Sequence, residues 1–527
     1  MSQFLKIDSK GFFQCCLENM FKQLLLVYLL GLTLTLGCNV HQVHIALSDF
    51  YHTLNPADPI VKIAFHTNNK LCLENHVLLH MDDGSKRQIP ATSTHFKASY
   101  DSGDYETYVH YASVTNIKFD TQYKYEIFVS NKGTYEGPFT FRAPNPNPTP
   151  HQRNFIIYGD FDSSTEGQQT LSYLKSVAKD TSRPIDLFFH IGDLAYNLEK
   201  KAGKRGDEFM KDIQDIAANV PYMVTMGNHE AYNNFSNFNM RFQMPFYQYT
   251  QNNLYSINVD NVHFVSIDLE LPVLQPQYLA NVVNWLEQDL KEANANRAER
   301  PWIIVYGHRP IYCSEGTEGG DCAINPTRFQ AVEEVMYKYG VDMYFAGHIH
   351  SYERNLPVYK GKVMPFTKKN SDKGNHYIQD PQAPLHILAG IPGHRGYPSG
   401  KRPYPVKKFC TRIDRDYSVG IISVQNNTHL LWQNIHTKDG QVDDYMYLIK
   451  TKNSYAVKSA HHFLEEAQED VAIALNEKES TERYELSWIY FILLAVVLLV
   501  YLSKSRKIRP LKLLRADDSE LAASIVN

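Results

Sequence analysis

Five apolar runs in the middle of the chain each reach a glycine and then present an oxygen or nitrogen donor. They read GDFD, GDLAY, GNHE, VYGH and GHIH, and they offer Asp160, Asp193, Tyr196, Asn228, His229, His308, His348 and His350. Taken singly, a Gly-Asp after a strand is ordinarily a turn, and a lone histidine beside a core is ordinarily hydrogen-bonded. Successive strand ends that all carry donors are better explained by a metal site. The set contains no thiolate, so it suits zinc, manganese or iron rather than softer metals. An aspartate between two cations can give one oxygen to each. In an extended His-Ile-His both imidazoles lie on one side, because residues i and i+2 share a face. Two neighbouring cations clamp a phosphate ester and lower the pKa of a bound water, which is hydrolase chemistry.

The elements that must position these donors are legible as continuous apolar strands. NFIIYG, IDLFFHIG, PYMVTMG, WIIVYG and MYFAG alternate in places with helical stretches such as GQQTLSYLKSVAKD and VVNWLEQDLKEANANR. Buried strands alternating with helices predict an α/β core over residues 153–450, with functional groups at the strands' carboxyl ends. Residues 39–144 carry short runs of period two, among them QVHIAL, IVKIAFHT, ETYVHYASV, YKYEIFVS and GPFTFRA, which predict a small all-β sandwich. The Pro-rich stretch NPNPTPHQ, residues 145–152, reads as a stiff linker between the two.

The ends of the chain bear on its compartment. Leu24–Gly37, after Lys22, has the length and flanks of a secretory signal, so residues 1–38 read as a signal region; Met20 is an alternative start. Leu486–Leu502 is apolar throughout and just long enough to span a bilayer, with Trp488 and Tyr501 near its ends. Lys504, Arg506, Lys507 and Arg509 follow, so residues 503–527 are expected to be a cytoplasmic tail and the protein a single-pass type I membrane protein. Residues 451–485 read as an acidic stalk. The catalytic unit would then face the extracellular space or an endolysosomal lumen, where Cys313 and Cys322 are expected to pair, while Cys72 and Cys410 have no assigned partner. Asn234 and Asn426 head glycosylation sequons. A net charge of −4 argues against a nucleic-acid partner held by general electrostatics.

The strand-end motifs resemble the purple acid phosphatases, within the calcineurin-like metallophosphoesterases, whose pattern is GDxG, GDxxY, GNH(E/D), VxxH and GHxH in that order. GDEFMKDIQDIAANVPYMVTMGNHE and GHRPIYC resemble the long, animal-type branch in particular. The resemblance implies a metallophosphoesterase β-sheet sandwich flanked by helices, preceded by a fibronectin type III-like domain. It implies Fe(III) held by Asp160, Tyr196 and His350, a divalent iron, zinc or manganese held by Asn228, His308 and His348, and Asp193 bridging. His229 would hydrogen-bond the phosphate or assist proton transfer. The activity implied is hydrolysis of phosphate monoesters, on small molecules or phosphoproteins, at acidic pH by metal-bound hydroxide. A phosphodiesterase or nucleotide pyrophosphatase would use the same site, and a weakly active surface receptor or adhesion protein is the rival of another class.

Two departures stand out. No histidine lies between His308 and His348, where plant-type relatives have one placed to protonate the leaving group, so His229, Glu315, Glu318, Asp321 or solvent must serve. Asp162 stands where the pattern has its final glycine. Three roles are open to it: an extra ligand of the first metal, a hydrogen-bond partner of a ligand or water, or a side chain turned outward.

Overall fold

Alternation of buried and less buried residues is clearest in one strand of the N-terminal unit. In β6 (Gln122–Val129), Tyr123, Tyr125, Ile127 and Val129 are buried while the residues between them are not. With β1 (Val40–Leu47), β2 (Val61–Thr67), β3 (His76–His80), β4 (Lys86–Tyr100), β5 (Gly103–Val114) and β7 (Thr134–Arg142) it forms an all-β unit in the order β1-β2-β5-β4-β3-β6-β7. β4 pairs with β3 over Lys86–Pro90 and with β5 over Ala91–Tyr100, so one strand serves both halves, consistent with a fibronectin type III-like sandwich. β3 and β4 lie outside the runs that predict strands. β4 is polar along most of its length and carries Pro90, so it lacks an apolar signature. The computed structural model describes residues 22–23, 38–55, 58, 60–68, 72, 75–129, 133–314, 328–368, 374–393 and 406–451.

The larger unit is two sheets face to face. One runs β10 (Tyr222–Thr225), β9 (Leu187–Ile191), β8 (Arg153–Tyr158), β20 (Ser418–Val424), β21 (His429–His436), β22 (Val442–Ile449) and β17 (Tyr377–Gln379). The other runs β11 (Leu254–Val259), β12 (Val262–Ile267), β13 (Trp302–Tyr306), β14 (Met343–Ala346), β18 (Leu385–Ala389), β15 (Tyr352–Tyr359) and β16 (Lys362–Val363), with β19 (Cys410–Asp414) beside β15. β8, β9 and β10 are parallel, as are β12, β13, β14 and β18. Both faces of β8, β9 and β13 are buried, which is why their sequences are apolar without alternation. Phe155 and Phe189 from one sheet meet Phe264 and Tyr306 from the other, so one core fills the space between them.

The helix Lys204–Ala217 joins the two units. Asp207 on its first turn accepts from Gln42 Nε2 at 2.7 Å and Tyr105 Oη at 2.6 Å, both from the β-sandwich, and from Arg241 Nη1 at 3.0 Å. Arg241 is fully buried and also donates to Gln42 Oε1 and the Gly203 carbonyl. The Pro-rich stretch is tied down rather than loose: Asp260 accepts from the Thr149 amide, and its own amide donates to the Asn145 carbonyl.

Cys38 is buried and bonded to Cys72, so the residue at the edge of the leader segment belongs to the folded sandwich, and Cys410 is not the partner of Cys72. Cys313 is disulfide-bonded, while its expected partner Cys322 lies outside the described residues. Asn234 and Asn426 are exposed. Among the described residues no helix is long and apolar enough to cross a membrane, and Leu486–Leu502 lies outside them.

Buried histidines with lowered pKa values, His44, His110, His190 and His386 among them, make stability depend on pH. His386 on β18 is buried between the rings of Tyr312 and Tyr344, and burial lowers its pKa from 6.5 to about 3. The unfolded chain therefore binds the extra proton, so this contribution to stability is present above pH 6.5 and is lost as pH falls toward 3. The slope is about 1.4 kcal/mol per pH unit. His386→Leu is expected to flatten the pH dependence of the unfolding free energy by up to that slope over this window, read from denaturation curves at a series of pH values. An unchanged slope would show that His386 does not contribute.

Candidate metal centre

The donors lie just past the carboxyl ends of β8, β9, β10, β13 and β14. The first three strands belong to one sheet and the last two to the other, so the site forms where both sheets end together. Asp160 follows β8 and Asp193 follows β9, with 0% and 2% exposure. Asn228 and His229 open the short 3-10 turn after β10, His308 follows β13, and His348 and His350 follow β14.

The side chains converge in two overlapping groups. The Tyr196 hydroxyl donates to Asp160 Oδ1 at 3.2 Å and lies 2.8 Å from His350 Nε2, itself 3.4 Å from Asp160 Oδ1. In the second group, Asn228 Oδ1 is 2.8 Å from His348 Nδ1 and 3.2 Å from His308 Nε2. His308 Nε2 is also 3.2 Å from Asp193 Oδ2. Single ligand atoms of Asp193, His308 and His348 all lie within 4.8 Å of one another, close enough to share one cation. His308 Nδ1–H donates to the Ile191 carbonyl at 2.9 Å, which fixes the ring and turns Nε2 inward. His229 Nδ1 meets Asn197 Oδ1 at 3.1 Å, and its Nε2 stands 3.8 Å from Asp193 Oδ2.

The backbone is bent hard to achieve this. Asp160 (φ 61°), Asp193 (φ 55°), Tyr196 (φ 41°) and His348 (φ 72°) all adopt left-handed conformations, which non-glycine residues hold only when their surroundings compel it. The glycines supply room. A Cβ on Gly227 would sit 2.2 Å from Asp193 Oδ1, and one on Gly347 would sit 2.3 Å from Asp160 Oδ2. Glycine at these strand ends therefore reflects close approach by a neighbouring loop's carboxylate.

The charge balance asks for cations. Burial alone would lower the pKa of His308, but the Asp193 and Asp160 carboxylates raise it to about 10, which keeps the imidazole protonated beside Asp193. Burial would raise that of Asp193, but His308 and His229 pull it below the usual carboxylate range. Tyr196 is pushed well above 10 by burial and by Asp160 and Asp193, so the phenol keeps its proton until a cation replaces it. His348 is lowered to about 4 by burial, with His308 and Arg309 adding to the effect. These side chains fit metal ions: oxygen and nitrogen donors, buried carboxylates, and protons standing where cations would.

Asp162 faces elsewhere. Its carboxylate forms an ion pair with Arg205 and accepts from the Ser164 amide and hydroxyl, each at 3.0 Å. Glu315, Glu318 and Asp321 lie outside the described residues.

Several supporting groups are visible only in the fold. Glu230, inside GNHE, accepts from the amides of Asp193, Leu194 and Gly227, each at 2.8 Å, and so braces two strand-end loops. Arg309, next to His308 in GHRP, is held by Glu270 at 2.8–2.9 Å and brings Nη1 to 3.4 Å from His348 Nε2. The unbroken run of Gly-Asn-His-Glu and Gly-His-Arg flagged both places, but neither partner could be read from spacing.

Two outcomes follow from this geometry. Metal uptake by the apoprotein at neutral pH should release about two protons, from His308 and Tyr196, and tighten as pH rises. Calorimetry in buffers of different ionisation enthalpy measures the number, and a value near zero would contradict the charge state described. Glu230→Gln sets an amide N–H against backbone donors and should cost about 1–3 kcal/mol of stability and roughly 10–100-fold in metal affinity. Thermal unfolding and metal titration read both.

Comparison with known proteins agrees with this architecture. The family described as calcineurin-like phosphoesterase matches residues 154–352, and the one described as iron/zinc purple acid phosphatase-like protein C matches residues 383–445. Acid phosphatase type 7 of Danio rerio is 37% identical over 369 residues, covering 66% of this chain and 78% of that protein. Its Homo sapiens counterpart is 31% identical, covering 65% and 77%. Probable purple acid phosphatase 20 of Arabidopsis thaliana is 29% identical, covering 67% and 75%. The structure of a purple acid phosphatase from yellow lupin (Lupinus luteus) seeds superposes with a TM-score of 0.64 at 19% identity, covering 80% of this chain and 76% of that one, which shows a shared fold. The chain thus belongs to the purple acid phosphatase family of calcineurin-like phosphoesterases.

Proposed function

We propose that this protein hydrolyses phosphate monoesters at acidic pH at a binuclear centre. Asp160, Tyr196 and His350 would hold a ferric ion, Asn228, His308 and His348 would hold a divalent iron, zinc or manganese ion, and Asp193 would be available to both. The observation that carries this reading is the convergence of these side chains, drawn from the ends of both sheets, to within hydrogen-bonding distance of one another. Bound there, the cations would polarise phosphoryl oxygens and acidify a water.

The chain's own residues then orient and protonate. Asn197 holds the imidazole of His229, which is about one-third exposed, so that its Nε2 lies on the Asp193 side. From that rim position it can hydrogen-bond a phosphate oxygen or give a proton to the leaving group. Ile191, through His308 Nδ1, and Glu230, through the Asp193 amide, keep the two donors from rotating away.

The Cys38–Cys72 bond supports an oxidising compartment, and exposed Asn234 and Asn426 suit glycan attachment. Leu486–Leu502 is the proposed anchor of a type I membrane protein, with the catalytic unit outside the cell or in an endolysosomal lumen.

The test is turnover of p-nitrophenyl phosphate across about pH 4–7 by the purified protein while its metals are counted. Expected are an acid-side maximum, about two metal ions per chain including iron, and a visible absorption band that Tyr196→Phe abolishes. Asp193→Asn and His308→Ala should each lower kcat by about 100-fold or more. Two bound metals without turnover would favour the receptor reading, and faster turnover of bis(p-nitrophenyl) phosphate would favour a phosphodiesterase.

A further inference from the structure

Asp162 lies two residues beyond Asp160, yet its carboxylate leaves the donor cluster and engages the helix Lys204–Ala217 through Arg205. The pair is shielded, with side-chain exposures of 12% for Asp162 and 14% for Arg205. Arg205 also reaches the loop after β9, where its Nε donates to the Ala195 carbonyl at 3.1 Å. One guanidinium thus grips the loop that carries Asp160 and the loop that carries Asp193 and Tyr196.

Those loops already run side by side. The Asp160 amide donates to the Gly192 carbonyl at 2.9 Å, and the Ala195 amide to the Phe161 carbonyl at 3.0 Å. Just beyond that contact the backbone turns left-handed at two successive non-glycine residues, Ala195 (φ 62°) and Tyr196 (φ 41°). Such a turn persists only where surrounding contacts over-determine it. On its far side Lys200 Nζ donates to the Tyr196 carbonyl at 2.9 Å, and on its near side the Arg205 contact is anchored by Asp162. Glycine at position 162 would leave Arg205 with Glu208, at 3.7 Å and half exposed, as a looser partner.

We propose that Asp162 and Arg205 are positioning residues, a charged clamp that locks the Ala195–Tyr196 turn and so delivers the Tyr196 hydroxyl to Asp160 and His350. The clamp rests on the reading of Tyr196 as a metal-holding side chain. It acts through the planar fork of arginine, which serves the carboxylate and the carbonyl together; a lysine ammonium cannot span both in that geometry.

The test uses the full-length protein with Asp162→Asn, Arg205→Lys and the double variant. In the iron-loaded protein the visible band reports the tyrosine; in the metal-free protein amide exchange reports the turn. Each single variant should shift the band and raise exchange across residues 194–198 about tenfold, and the double should be no worse than the worse single, because both substitutions open one clamp. Unchanged band and exchange in the singles overturn the proposal. So do strictly additive effects, or a lowered melting temperature with an unchanged band, which would mark an ordinary stabilising ion pair. A wild-type protein that binds iron without a band overturns tyrosine ligation and the clamp with it. Absent phosphatase turnover, with band and exchange responding as expected, would fault the proposed activity and leave the clamp standing.

Discussion

Two carboxylates, Asp160 and Asp193, are buried at adjacent strand ends, and the surrounding structure answers the cost of bringing like charges out of water together. Backbone amides meet them first: that of His348 donates to Asp160 at 2.8 Å and that of His229 to Asp193 at 2.9 Å. His308 answers Asp193 with an imidazolium, and the Tyr196 hydroxyl answers Asp160. To put these donors in range the backbone accepts left-handed turns at four donor-bearing residues, and the neighbouring loops carry glycine where a Cβ would strike a carboxylate oxygen. What remains unbalanced is the charge that metal cations are suited to meet.

That bent geometry is held from outside by the β-sandwich. The helix Lys204–Ala217 offers Asp207 to the sandwich and Arg205 to the loops of the site, within a single turn. Arg241, buried and bonded to Asp207, Gln42 and Asn237, seals the junction. A shift of the sandwich would take the Gln42 and Tyr105 donors from Asp207 and the Gln42 acceptor from the buried Arg241, so the sandwich cannot move without disturbing the start of this helix. An N-terminal domain with no donors of its own is thereby coupled to the turn that carries Tyr196.

The legible and the illegible parts differ by the range of the interaction that decides them. β8, β9, β10, β13 and β14 could be read because strands buried on both faces need continuous apolar residues, and their glycine ends punctuate them. β4 is illegible because a largely polar strand resembles a loop in sequence, and β3 because its apolar run is only three residues, Val77–Leu79. The donors themselves were legible from residue type at strand ends. Their supports were not: Glu230 braces Asp193 across two loops, and Glu270 reaches Arg309 from another strand end.

Residue type and local spacing by themselves determined which side chains are candidate donors and that none is a thiolate, because a side chain's chemistry and its place at a strand end are local properties; the family followed from the resemblance of the motifs and from the similarity to known proteins. Only the tertiary structure decided that Asp162 turns to Arg205 and that Cys38 bonds Cys72. Asp162 sits within two residues of a donor and could face it by spacing alone. A carboxylate's direction, however, follows the nearest unmatched positive charge, and that charge arrives from a helix distant in sequence.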